Sequence, residues 1–241
     1  MTTLRSALFL VGALVLTSIY GVLVPTGRLF GKRLPFILAR SYARVMLVWI
    51  RMSLGIRCDV AGWENVPRTP AIIMAKHQSA WETLFLEARF PDQCWIVKHE
   101  LLWLPFVGWG LMALRCIAID RSSGTTAREQ VVQQGVRRLK QGLWVTIFPE
   151  GTRVAPGKRG RYGIGGALLA TRSGAPILPI AHNAGELWPR YAFRKRAGCV
   201  KVVIGPLILT EGRDAVAVNN EVQEWIEDQM RRISPELHAH A

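Results

Sequence analysis

Residues 74 to 86, "MAKHQSAWETLFL", set His77 five positions before Glu82, between a short apolar run and a second one with helical texture. A histidine oriented by a carboxylate is the apparatus of general-base chemistry. The acid fixes one ring nitrogen as a donor, and the other is left free to take a proton from a substrate hydroxyl. Five positions along one helix point about 140° apart, so the pair meets only if His77 precedes the helix and the chain folds back over its first turn. A second reading fits the same residues: Ser79-Ala80-Trp81-Glu82 is a capping box, with Glu82 reaching back to the Ser79 amide. A carboxylate has acceptor sites enough for both roles.

Further along, "LWVTIFPEGTR" runs an apolar strand into Glu150, Gly151, Thr152 and Arg153, and "CIAIDR" ends another strand in Asp120 and Arg121. Guanidinium groups match phosphate oxygens in a bidentate fashion. Two strand ends carrying arginine beside a third carrying histidine suggest a site that holds a phosphate while a neighbouring hydroxyl is activated. Lys98, in "WIVKHELL", is a further cation that fits a phosphate, a carbonyl oxyanion or plain solvation. His182, following "ILPIA", and His99 read as hydrogen-bonded packing residues.

The elements that would present these groups are those of an α/β domain. "PAIIMA", "CWIV", "CIAI", "LWVTIF", "ILPIA" and "VKVVIG" read as strands. "TTAREQVVQQGVRRLKQ" and "AVNNEVQEWIEDQMRRI" read as helices, the latter with Val218, Val222, Trp225, Ile226, Gln229 and Ile233 on one face. Alternation of this kind predicts a mostly parallel central sheet flanked by helices, with ligands at the strands' carboxyl ends. "GTRVAPGKRGRYGIGG" is the longest loop and a functional one by its length.

Ahead of this domain, Ala7 to Val24 carries no charge over eighteen residues, the lower limit for crossing a bilayer. The next apolar segment places Arg40, Arg44 and Arg51 within about 40° of one another on a helix, as an interfacial stripe would have them. The division expected is a two-helix membrane anchor over 1–56 and a catalytic domain over 57–241. Arg28, Lys32 and Arg33 outnumber Arg5 across the first segment, which puts the downstream side in the cytoplasm. Trp63, Trp81, Trp95, Trp103, Trp109 and Trp144 are either core residues or bilayer anchors.

The chain has 241 residues, with 31 Lys and Arg against 17 Asp and Glu, so anions are its natural partners. The four cysteines lack metal-binding or disulfide spacing. No G-x-S-x-G elbow occurs, "GTRVAPGK" fails as a P-loop in both spacing and its missing Ser or Thr, and no groove-reading nucleic-acid motif appears.

In order and separation, "HQSAWE", "CIAIDR", "FPEGTR" and "ILPIAHNAG" resemble the four blocks of the bacterial 1-acyl-glycerol-3-phosphate acyltransferases, the lysophosphatidic acid acyltransferase family. The resemblance covers roughly residues 60 to 210. It implies a glycerolipid acyltransferase-like fold and transfer of a fatty acyl group to the sn-2 hydroxyl of lysophosphatidic acid. The donor would be acyl-CoA or acyl carrier protein, with no metal, cofactor or covalent acyl-enzyme. His77 and Glu82 become the catalytic pair, and Arg121, Arg153 and Lys98 the phosphate ligands. Glu150 would bond the glycerol or brace Arg153, Gly151 and Thr152 would form the rest of that turn, and Pro179 would end a strand along the acyl path. The family commonly carries aspartate where this chain has Glu82. The resemblance also implies a bacterial inner-membrane enzyme facing the cytoplasm, in contact with anionic lipid. Another acceptor lipid, or a catalytically silent basic membrane-surface protein, is the alternative.

Overall fold

A computed structural model describes residues 2–120 and 124–238. Two helices, α1 (Thr2–Thr26) and α2 (Leu34–Leu54), come first. They run antiparallel: Trp49 donates its indole N–H to the Phe9 carbonyl at 3.1 Å, and the Thr17 and Tyr42 hydroxyls meet at 2.8 Å. Strands β1 (Ile56–Ala61), β2 (Ile72–Ala75), β3 (Gln93–Lys98), β4 (Ile117–Ile119), β5 (Trp144–Ile147), β6 (Ile177–His182) and β7 (Gly198–Ile204) follow. Interleaved with them are α3 (Trp81–Arg89), α4 (Val107–Ala113), α5 (Gly124–Lys140), α6 (Gly165–Ser173) and α7 (Ala184–Leu187), and the chain closes with α8 (Ala215–Ile233) and α9 (Pro235–His238).

The strands form one seven-stranded sheet in the order β1-β7-β6-β2-β5-β3-β4. Every pairing is parallel except β6 with β7. The mostly parallel sheet expected from the sequence is therefore present. β1 is the strand its pattern concealed, because "IRCDVA" at the sheet edge alternates buried and exposed residues instead of forming an apolar run.

Alternation along β2 divides the core. Ile72 and Met74 pack on one face with α5, α6 and α8, through Val131, Leu169, Val222, Ile226 and Met230. Ile73 and Ala75 pack on the other with Met46, Ile50 and Leu54 of α2 and Trp81 and Phe85 of α3. Each of these buried large side chains stabilises the fold by about 1.5–3 kcal/mol. On α8 the buried face runs through Met230, with Gln229 beside it.

Helix α2 is thus a core helix along one side. Two of its three arginines find partners within the protein: Arg40 pairs with Asp92 at 2.7 Å and Arg44 donates to the Ala88 carbonyl at 3.3 Å, while Arg51 stays exposed. Helix α1 is different. Leu4, Leu8, Val11, Leu14, Val15, Ile19 and Val22 lie uncovered along it, and it is long and apolar enough to cross a membrane. The tryptophans divide in the same way, with Trp81, Trp95 and Trp144 in the core and Trp63, Trp103 and Trp109 exposed.

Candidate active site

Sheet register builds the site. Met74 of β2 lies opposite Ile147 of β5, and Ala75 lies opposite Ile180 of β6. Because these strands run in parallel, Lys76-His77, Phe148-Pro149-Glu150 and His182 all leave the sheet at one carboxyl edge. This is where open α/β sheets place their ligands.

His77 is held from four sides. Its Nδ1 lies 2.9 Å from Glu82 Oε1. Since an ionised carboxylate only accepts, Nδ1 carries the proton and Nε2 presents a lone pair. The imidazole stacks on Phe148, with ring centroids 3.9 Å apart and planes 9° from parallel. Its backbone N–H donates to Glu150 Oε2 at 2.8 Å, and its carbonyl accepts from the Val154 N–H at 2.8 Å. The side chain keeps 16% exposure, enough for a substrate to reach Nε2.

Glu82 performs both roles the sequence allowed. Its Oε1 accepts from His77, from the Gln78 N–H at 2.9 Å and from the Ser79 N–H at 2.8 Å. The reach of Glu82 back to the Ser79 amide and the histidine clamp therefore share one oxygen, although the N-cap of α3 is Ala80, without a side-chain cap, and not Ser79. Ser79 Oγ in turn accepts from the Trp81 N–H at 3.2 Å. Burial pushes the Glu82 carboxyl up, yet the hydrogen bonds donated by His77 and the Ser79 N–H act against it, and the group is held below the usual carboxylate range. Its place in the first turn of α3 works in the same direction.

His182 is a packing histidine. Its Nε2–H donates to the Lys76 carbonyl at 2.8 Å, its Nδ1 accepts from the Ala184 N–H at 3.3 Å, and burial pushes its pKa down, keeping the ring neutral.

The "FPEGTR" turn is closed by Gly151, whose N–H donates to the Phe148 carbonyl at 2.9 Å. Gly151 has φ +68°, in the left-handed region that favours glycine. Thr152 is exposed and Arg153 half-buried. The bond from Val154 to the His77 carbonyl brings the backbone next to Arg153 alongside that of the histidine. Lys98 stands exposed past Val97 at the end of β3, where it pairs with Glu100 at 2.8 Å. Arg121 lies outside the described residues. Pro179 does not end its strand: it is buried inside β6, opposite Met74, and its carbonyl accepts from the Gly205 N–H at 2.9 Å.

Glu150 is occupied by the protein instead of bracing Arg153. One oxygen takes the His77 N–H, and the other takes the ammonium of Lys76 at 2.6 Å. Burial pushes the Glu150 carboxyl up against the pull of that ammonium. Lys76 also donates to Glu227 Oε1 of α8 at 2.8 Å, and Tyr162 donates to the same oxygen at 3.1 Å. Neither Lys76 nor Glu227 stood out in the sequence. Lys76 looks like an ordinary surface lysine until β2 buries it, and Glu227 sits among the charges of an amphipathic helix.

The model of a family described as Acyltransferase matches residues 57–183. The 1-acyl-sn-glycerol-3-phosphate acyltransferase of Pseudomonas aeruginosa is 44% identical over 209 residues, covering 86% of this chain and 81% of that protein. The Saccharomyces cerevisiae protein of the same name is 32% identical over 242 residues, covering 94% of this chain and 75% of the yeast one. In shape, the chain is similar to the crystal structure of the 1-acyl-sn-glycerophosphate (LPA) acyltransferase PlsC from Thermotoga maritima. The TM-score is 0.77 at 23% identity, over 99% of this chain and 96% of that one.

Proposed function

Because the chain belongs to the Acyltransferase family, we propose that it moves a fatty acyl group from a thioester to the sn-2 hydroxyl of lysophosphatidic acid, giving phosphatidic acid. The observation that carries this reading is the His77 imidazole, fixed by Glu82 through Nδ1 and backed by Phe148, with Nε2 open at the sheet edge.

In the transfer, His77 Nε2 takes the proton of the acceptor hydroxyl as its oxygen attacks the thioester carbonyl. Glu82 stabilises the imidazolium that forms. The tetrahedral intermediate then expels the thiolate, which leaves with the proton from His77. Direct transfer of this kind asks only for a base and for donors to the oxyanion. Arg153, beside His77, holds the acceptor phosphate together with Arg121 and Lys98. Gly151 and Thr152 shape the turn that presents Arg153.

The acyl donor is acyl-CoA or acyl carrier protein. The uncovered apolar length of α1 fits a bilayer containing anionic lipid. Arg28, Lys32 and Arg33 at its downstream end favour the cytoplasmic face of a bacterial inner membrane.

Thiol release from oleoyl-CoA by the detergent-purified protein tests the reading, with lysophosphatidic acid, glycerol-3-phosphate or a lyso-aminolipid as acceptor. Release that depends on lysophosphatidic acid, and that falls by about 10²–10⁴ in His77→Ala, is the expected result. Release at the wild-type rate in a folded His77→Ala protein refutes the mechanism, and release only with another acceptor refutes the substrate.

A further inference from the structure

Lys76 immediately precedes the base, yet its side chain is 1% exposed. Its ammonium lies between Glu150 at 2.6 Å and Glu227 at 2.8 Å, with the Lys158 carbonyl at 3.4 Å. Burying one ammonium and two carboxylates costs desolvation that apolar side chains of similar size would avoid, so such a cluster is poor evidence of stabilisation alone. Its location is informative. The Glu150 oxygen not bonded to Lys76 accepts the His77 N–H, so a single carboxylate joins the buried ammonium to the backbone of the base.

The same helix that supplies Glu227 also holds the glycine- and arginine-rich loop. Gln223 donates to the Gly160 carbonyl at 3.3 Å, and Tyr162 donates to Glu227 at 3.1 Å. Glu227 lies 151 residues after Lys76 and beyond the segment matched by the family model, which ends at 183. With both backbone polar groups of His77 bonded to the 150–154 segment, the placement of the imidazole depends on where that segment is anchored. Lys76 and Glu227 anchor it.

We infer that Lys76 and Glu227 are positioning residues for acyl transfer, through which α8 sets the placement of His77 by way of Glu150. The inference rests on the acyl-transfer reading above. It concerns the catalytic step and not the hold on substrate, because neither side chain reaches the exposed edge where substrate binds.

The test compares kcat and the KM for lysophosphatidic acid in the full-length protein, together with thermal melts. Lys76→Met and Glu227→Leu should each lower kcat by about 10- to 100-fold, the scale of a misplaced catalytic group, with KM changed by less than about threefold. Glu227→Gln keeps an oxygen that accepts from Lys76 and Tyr162, and should recover kcat to within about threefold of wild type. If Lys76→Met alone does not fold, Lys76→Met/Glu227→Leu removes one of the two carboxylates left without their ammonium, restoring the net charge of the cluster, and should show the same kcat loss.

A folded Lys76→Met or double variant with wild-type kcat overturns the inference. So does a loss that falls on KM alone, or a Glu227→Gln variant as impaired as Glu227→Leu. Absence of turnover in the wild type with every acceptor removes the acyl-transfer reading, and this inference with it. Wild-type turnover beside an unaffected Lys76→Met removes this inference only.

Discussion

Replacing Glu82 by glutamine isolates what its charge contributes. In the wild type, Oε1 collects three N–H donors, from His77, Gln78 and Ser79, at 2.8–2.9 Å. A glutamine in this place must turn its carbonyl oxygen toward them, because its NH2 would oppose two backbone N–H groups that cannot rotate away. His77 therefore keeps its proton on Nδ1 and its lone pair on Nε2. The large penalty for a wrong tautomer is avoided. What is lost is the charge facing the imidazolium. A hydrogen bond to a charged partner is worth about 1.5–3 kcal/mol against about 0.5–1.5 for a neutral one. The difference, about 1.5 kcal/mol, corresponds to about a tenfold fall in kcat.

Oleoyl-CoA thiol release at saturating lysophosphatidic acid reads that number directly, with His77→Ala in parallel as the deeper loss. A Glu82→Gln kcat within twofold of wild type would show that the carboxylate does not stabilise the imidazolium. A loss as deep as that of His77→Ala would show that the backbone donors do not fix the side chain, and the geometric argument would fall.

Arg153→Lys should raise the KM for lysophosphatidic acid about tenfold while leaving kcat near wild type, since an ammonium cannot match a phosphate in bidentate fashion; an unchanged KM in acceptor titrations would place the phosphate elsewhere. Glu87 offers a stability test away from the chemistry. Burial pushes its carboxyl up to about 7, against the Trp95 indole N–H that donates to it at 2.9 Å. A folded-state pKa above the unfolded one means that stability falls as pH rises from about 4.5 through 7, by at most about 3 kcal/mol. Glu87→Gln should therefore raise the melting temperature at pH 8 and leave it nearly unchanged at pH 4.5, and equal melting shifts at both pH values would contradict the burial argument.

Much of the fold was legible because its signals are local. Six of the strands are short apolar runs closed by turn residues, and their alternation with helical patterns dictates a parallel arrangement. The His77–Glu82 pair was legible for the same reason. Both residues lie within one strand-to-helix turn, so five positions of spacing and one capping signature suffice to bring them together. β1 was hidden because an edge strand exposed on alternate residues has no apolar run to show. The side of α2 that faces the sheet was obscured by the helix's own composition, since apolar residues nearly all round describe a lipid-facing helix and a core helix equally well.

The buried network beneath the base lay beyond such reading for a different reason. Lys76, Glu150 and Glu227 come from a strand end, a turn and a distant helix, and nothing in their separations along the chain brings them together. Only the register of β2 against β5, and the packing of α8 over that face, puts an ammonium between two carboxylates. The same three-dimensional fact changes the meaning of a motif residue. Glu150 in "FPEGTR" has the chemistry of a substrate ligand, yet both of its oxygens are bonded internally, to Lys76 and to the His77 amide. Within that turn Arg153 remains the proposed phosphate ligand, while Glu150, bonded to the His77 N–H, belongs to the proposed support of the base.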